Sequence, residues 1–144
     1  MIRLMTEDDI FGVIQIENEA FSDPWSLSSF IDVVNENFEY AIVYETDDEI
    51  IGYAVLQTLV DEAHLINIAV KKGFRHKGIG KEILSFLIEH FREKNYMRMF
   101  LDVRVSNKSA VKLYESMGFK NIYRQKSLYQ KPCEDGFLME LNLS

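Results

Sequence analysis

The chain has 144 residues, 47% of them hydrophobic and 27% charged, with a formal net charge of −7 at pH 7. That length suits one domain with a sizeable core, read here as a single unit over residues 1–144. The composition excludes a disordered chain, the acidic balance argues against direct nucleic-acid binding, and no apolar run reaches the roughly 18 residues of a membrane span.

The single cysteine, Cys133, forbids an internal disulfide and points to a reducing, cytoplasmic setting. The opening MIRLMTEDDI is acidic after residue 5 and does not read as a signal peptide. An acidic protein suits a cationic partner such as a basic peptide, although acidity also serves solubility. The expected state is a monomer or weak dimer.

In chain order, Met1 to Leu4 reads as a short strand, and Thr6 caps a helix with Asp9 as a partial capping box. Ile10, Val13, Ile14 and Ala20 give that helix a buried face. DPWS at 23–26 breaks the chain, and a second helix runs to about Asn35. Residues 40–45 and 50–60 read as strands across the turn Thr46-Asp47-Asp48-Glu49, and 63–70 as another apolar strand.

The stretch RHKGIGKEILSFLIEHF, residues 75–91, sets basic residues and two glycines against a helical pattern. Ile79, Ile83, Leu84, Phe86, Leu87 and Phe91 form its apolar arc, and the helix begins near Gly78 or Ile79. Residues 99–105 form a strand. Asn107 then caps a helix whose face is Ala110, Leu113, Tyr114 and Met117, with Gly118 at its end. FKNIYRQ and GFLMELNL read as closing strands. Strands interleaved with helices predict an α/β layered domain.

A basic loop delivering a helix N-terminus offers unpaired backbone N–H groups and a favourable dipole to an anion. Arg75, Lys77 and Lys81 add full charges, and glycines allow close backbone approach. A P-loop is excluded, because Ile79 and Gly80 follow Gly78 where Lys and Ser/Thr belong. The dinucleotide motif fails at Ile83, which stands in place of its third glycine. The remaining Arg-x-x-Gly-x-Gly fits a phosphate or pyrophosphate site, or a glycine turn with a solvated charge cluster.

NIAVKKGFRHKGIGKEIL resembles the coenzyme A motif of the GNAT N-acetyltransferases, and LDVRVSNKSAVKLYESMGF resembles the strand and helix that follow it there. DPWS, GYAVLQTLVDEAHLINIAV and Glu134-Asp135 resemble one branch, the RimI-type ribosomal-protein-alanine N-acetyltransferases. The resemblance runs from about Ile2 to Leu143. It implies a central mixed, mostly antiparallel sheet flanked by helices and splayed at a bulge in the strand Ala63 to Val70. Acetyl-CoA is expected in the gap as cosubstrate, without a metal. Its pantetheine arm would pair with backbone at Ile68, Ala69 and Val70. Its pyrophosphate would meet the loop Arg75, His76, Lys77, Gly78, Ile79, Gly80 and Lys81. Asn107 matches a further contact, a role compatible with helix capping.

The branch uses a glutamate as base and, twelve residues on, a tyrosine as acid; these positions hold Asp102 and Tyr114 here. Asp102 is one methylene shorter. It acts through water, passes the role to a group such as Glu62, or pairs structurally with a nearby Arg or Lys. Arg104 shares its strand face by alternation. Tyr114 also lies on an apolar helix face, where packing is the alternative. Oxyanion stabilisation is expected from backbone N–H groups at the strand bulge near Val70. Trp25, Glu62 and Tyr129 are the candidate acceptor-peptide contacts, and Leu128 stands where the branch often has tyrosine.

The resemblance implies acetyl transfer to a protein N-terminal α-amine, the acceptor being the N-terminal peptide of a ribosomal protein. An α-amine with a pKa of about 8 is roughly a tenth neutral at pH 7, whereas a lysine amine near 10.4 is almost wholly charged, so the former needs less help from a base. The alternatives are transfer to lysine side chains or small amines, and a non-catalytic acyl-CoA-binding module. His64, His76 and His90 show no metal-ligand spacing with Cys133.

Overall fold

The structure, a computed structural model, describes residues 1–35 and 39–144. Seven strands, β1 (Ile2–Leu4), β2 (Glu39–Thr46), β3 (Glu49–Leu59), β4 (Glu62–Val70), β5 (Arg98–Arg104), β6 (Lys120–Gln130) and β7 (Cys133–Asn142), form one sheet. Its order is β1-β2-β3-β4-β5-β7-β6, and every neighbouring pair is antiparallel except β4 and β5. The helices are α1 (Ile10–Ala20), α2 (Leu27–Asn35), α3 (Ile79–Glu93) and α4 (Lys108–Ser116), with a 3₁₀ turn at Glu7–Asp9 before α1.

The helices divide between the two faces. Ile10, Val13 and Ile16 of α1 and Phe30 and Val33 of α2 pack with Val43, Tyr53 and Val55 on one face. Ile83, Leu84, Leu87 and Phe91 of α3 pack with Leu65, Met99 and Leu101 on the other, where Tyr114 and Phe119 join them. Burying each such large side chain contributes about 1.5–3 kcal/mol, so the sheet is held from both sides.

Several apolar positions depart from the expected helix faces. Phe86 is 37% exposed, and Ile88 is buried in its stead. At 100° per residue Phe86 lies on the far flank of the arc centred between Ile83 and Leu84, beyond the reach of the sheet. On α1 the buried face includes Ile16 and Glu17, while Ile14 and Ala20 are half-buried.

The turn between β2 and β3 has positive φ at both Asp47 and Asp48, the two-residue hairpin geometry that matches strand twist. β6 runs five residues beyond the segment expected to end at Gln125, reaching Gln130. It does so across an irregularity between Gln125 and Tyr129, where Asp135 binds both the Ser127 N–H and the Arg124 guanidinium. Those bonds hold a bulged segment that shows no regular alternation in the sequence.

The sheet opens between β4 and β5. Val55 pairs with Asn67 and Leu56 with Leu65, leaving Ile66 as the extra residue on β4. β4 and β5 pair only from Glu62 opposite Arg98 to Leu65 opposite Leu101. Beyond that point β4 stays with β3 up to Val70, and β5 stays with β7 up to Arg104. A bulge increases local twist and bends the strand, so the two halves of the sheet diverge from there.

Candidate active site

The divergence leaves a cleft of about 700 Å³. Its walls are β4 from Leu65 to Ile68, β5 from Leu101 to Arg104, the start and face of α4 at Asn107 and Tyr114, the α1–α2 connection, and the β6–β7 turn. Six candidates from the sequence converge on it: Asp102, Tyr114, Trp25, Tyr129, Ile68 and Asn107 all line it. Glu62 does not; it sits at the first residue of β4, opposite Leu59 and Arg98, outside the lining. Strand direction explains the difference, since the cleft begins only after pairing ends at Leu65.

Tyr114 is 7% exposed and packs edge-on against Phe119, with ring centroids 5.9 Å apart. Burial first, and the neighbouring Tyr129 second, push its phenol up to about 12. It therefore holds its proton throughout the neutral range. Packing residue and proton donor are compatible roles here, because the buried ring also borders the cleft. Tyr129 is likewise pushed up to about 12, by burial and then by the negative charge of Asp102. Asp102, Tyr129 and Tyr114 thus border one space, with Asp102 acting on Tyr129 and Tyr129 on Tyr114.

Asp102 does not pair with Arg104, the partner expected from strand alternation. Its Oδ2 lies 3.3 Å from Nε2 of His64 across the parting strands. Arg104 turns instead to Glu134, at 3.2 Å, and to the carbonyls of Lys131 and Pro132. Its guanidinium lies 4.3 Å from the centroid of the Tyr129 ring, a cation–π contact that fixes the aromatic wall. The Glu134 carboxyl is held below the ordinary range by hydrogen bonding to Ser106 and, after that, by Arg104.

Glu17 is a cleft residue that the sequence reading missed. It is 1% exposed, and its carboxylate accepts from the Asn67 side-chain amide at 2.9 Å, the Trp25 N–H at 2.9 Å and the Tyr53 hydroxyl. A buried carboxylate needs such donors to offset its desolvation. One side chain thereby ties α1 to the β4 segment just past the bulge and to the DPW turn. The available signal was a lone glutamate on the apolar face continued from Ile10 and Val13. His64 was also missed as a partner of Asp102; it alternates with Ala63 and Leu65, which are buried.

The basic loop connects β4 to α3. Gly73, His76 and Gly78 have positive φ, and Gly78 is the N-cap of α3. An added Cβ at Gly78 would meet nothing within 4 Å, while one at Gly80 would approach Leu113 at 3.6 Å and Val70 at 3.9 Å. Arg75 is braced to the fold, its Nε donating to the Val70 carbonyl at 2.9 Å. Lys77 lies over the Phe74 ring at 5.8 Å from its centroid, and Lys81 is exposed on the first turn of α3. Asn107 caps α4 through Oδ1, which accepts from the Ala110 N–H at 3.3 Å.

Chemically, the arrangement suits a long acyl-CoA. Among the described residues, β4 from Asn67 to Val70 pairs with β3 on one edge and not with β5 on the other, so an amide-bearing chain can pair there. The N-terminus of the 15-residue α3, close behind Val70, offers amides and positive potential to a pyrophosphate. The residue left out of register on β4 is Ile66, not one near Val70.

A mixed sheet split at a bulged strand, with a glycine-bearing helix N-terminus beside the split, defines an acyltransferase fold. Residues 10–119 match the model of the Acetyltransferase (GNAT) family, and the chain belongs to that family. It is 37% identical to the [ribosomal protein bS18]-alanine N-acetyltransferase of Haemophilus ducreyi, over 99% of this chain and 100% of the relative. It is 32% identical to the Salmonella typhimurium protein of the same name, over 99% and 97% of the two chains. The crystal structure of the ribosomal-protein-S18-alanine N-acetyltransferase from Escherichia coli superposes with a TM-score of 0.93 at 29% identity, covering 100% of this chain and 94% of that one.

Proposed function

We propose that this protein transfers the acetyl group of acetyl-CoA to a protein N-terminal α-amine by direct attack in a ternary complex. The proposed acceptor is the N-terminal alanine of ribosomal protein bS18, the substrate that the relatives' names carry. The observation that carries the reading is the single cleft bordered by both Asp102 and Tyr114, at the place where β4 and β5 part.

In this reading the pantetheine arm of acetyl-CoA lies along the free edge of β4 at Ile68, Ala69 and Val70, with the pyrophosphate on the loop from Arg75 to Lys81. The peptide enters past Trp25 and Tyr129 on the opposite side. Asp102 serves the base end of the reaction and Tyr114 the acid end. The neutral amine attacks the carbonyl carbon, a C–N bond forms and the C–S bond breaks. The Tyr114 phenol, protonated up to about 12, gives its proton to the departing thiolate. Backbone N–H groups near the Ile66 bulge are the proposed oxyanion donors. No metal has a part in this chemistry.

The test is mass spectrometry of products from acetyl-CoA and a panel of peptides. The panel holds alanine-initiated peptides, the same peptides with a blocked α-amine, and lysine-containing controls. Acetylation confined to free alanine N-termini is the expected outcome. Modification of lysine in the blocked peptides would replace the acceptor class.

A further inference from the structure

His64 and Asp102 stand at the mouth of the split, one residue before Leu65 and one residue after Leu101, the last pair that joins β4 to β5. Leu65, Leu101 and Val103 point into the core under α3 and α4. Strand alternation therefore turns His64 and Asp102 to the opposite, peptide-facing side. Their side chains are 46% and 37% exposed, with Nε2 and Oδ2 3.3 Å apart. Among the described residues His64 has no other polar partner, so its second ring nitrogen is available to water or substrate.

The surroundings set this pair apart from an ordinary surface contact. Opposite His64 on β3 is Gln57, which carries no charge. On the same face Arg98 is paired with Glu140 of β7, and Arg104 with Glu134. Glu62 lies two residues before His64 on β4. From the α1 side, Glu17 is fully engaged by Tyr53, Asn67 and Trp25, and Asp23 lines the cleft beyond it. The nearby guanidinium groups are thus satisfied elsewhere, and among the described residues Asp102 alone meets the imidazole.

We propose that His64 and Asp102 work as a dyad, in which the imidazole takes the acceptor's proton and the carboxylate orients the ring and balances the imidazolium. Carboxylates are weak proton acceptors near neutrality, whereas imidazole is matched to it. Asp102 lines the cleft and His64 stands just outside its lining, so the acceptor's proton reaches the imidazole through water at the cleft mouth. This inference rests on the acyl-transfer reading and deepens it. The acceptor ammonium gives one proton to His64, which returns it to solvent. The neutral nitrogen then forms the C–N bond. As the tetrahedral intermediate collapses, the C–S bond breaks, Tyr114 protonates the thiolate, and the second proton lost from nitrogen restores the Tyr114 phenol through water. Each turnover releases one proton, one coenzyme A thiol and one amide.

Three proteins test it: wild type, His64→Ala and His64→Gln. Glutamine keeps an N–H donor for Asp102 but accepts no proton, so a merely structural contact survives in it even where alanine destabilises the strand. The dyad predicts a fall in kcat/KM on the order of 100-fold in both variants at pH 7. Acetyl-CoA affinity should be unchanged, and free imidazole should restore part of the rate to His64→Ala. Wild-type turnover in His64→Gln, or a loss in His64→Ala that imidazole does not relieve, overturns the dyad. If wild type acetylates lysine or a free amine instead, the α-amine reading fails and the same variants are compared on that acceptor. A wild type that transfers acetyl to no amine ends both.

Discussion

The side-chain amide of Asn67 donates to the buried carboxylate of Glu17 across 2.9 Å, joining the bulged strand to the first helix. The same carboxylate also holds the Trp25 N–H and the Tyr53 hydroxyl, so it joins α1, β3, β4 and the DPW turn at one wall of the cleft. Glu17→Ala leaves two buried donors, Tyr53 and Asn67, and the N–H of the half-buried Trp25 without their acceptor. The expected cost is on the order of 3 kcal/mol, read as a shift of the urea midpoint. Glu17→Gln should cost less, because its amide oxygen still accepts. An alanine variant as stable as wild type would show that water replaces the carboxylate freely.

Tyr114→Phe keeps the ring against Phe119 and removes the hydroxyl, the proposed proton donor. Turnover should fall about 100-fold, the lower end for general acid–base catalysis, with little change in melting temperature. The raised phenol also fixes the sign of a pH effect. A group titrating near 12 stays protonated from pH 6 to 9, so the wild-type rate should show no falling alkaline limb from Tyr114 in that range. Near-normal turnover in the folded variant would leave packing as its only role.

Gly78 and Gly80 should respond differently to substitution. Gly78 has φ +84°, where an L-residue is strained by about 1 kcal/mol or more, although its Cβ would meet open space. Gly78→Ala should therefore lower stability. Gly80 has no such strain, and its Cβ would make ordinary contacts. Gly80→Val should leave the melt nearly unchanged and weaken acetyl-CoA binding in calorimetry, by more than Lys77→Ala does, since solvent screens an exposed charge. Unchanged affinity in Gly80→Val would remove the loop from the cofactor site.

Gly136 lies beneath the β6 bulge. A methyl there would stand 2.5 Å from Cδ2 of Leu128 and 2.9 Å from Cε2 of Tyr129. Gly136→Ala should displace Tyr129 from Arg104 and raise KM for the peptide several-fold, with acetyl-CoA affinity preserved. Equal KM values in peptide kinetics would show that Tyr129 does not contact the acceptor.

Much of this molecule follows from local pattern. The helix starting at Ile79, the Asp47–Asp48 turn, the Asn107 cap and the left-handed Gly118 each depend on neighbours a few residues away, so spacing and residue type suffice to find them. The loop before α3 is legible for the same reason. Other features depend on strands that meet from distant parts of the chain. Alternation put Arg104 beside Asp102 on one face, but the β6–β7 turn draws its guanidinium to Glu134, and His64 arrives from β4 in its place. Glu17 gains its role only because Tyr53, Asn67 and Trp25 close around it. Phe86 loses its place in the core because the sheet reaches only part of the helical arc. Periodicity states which side of an element a residue occupies; which charge it meets there is decided by the register of the sheet and by where β4 leaves β5.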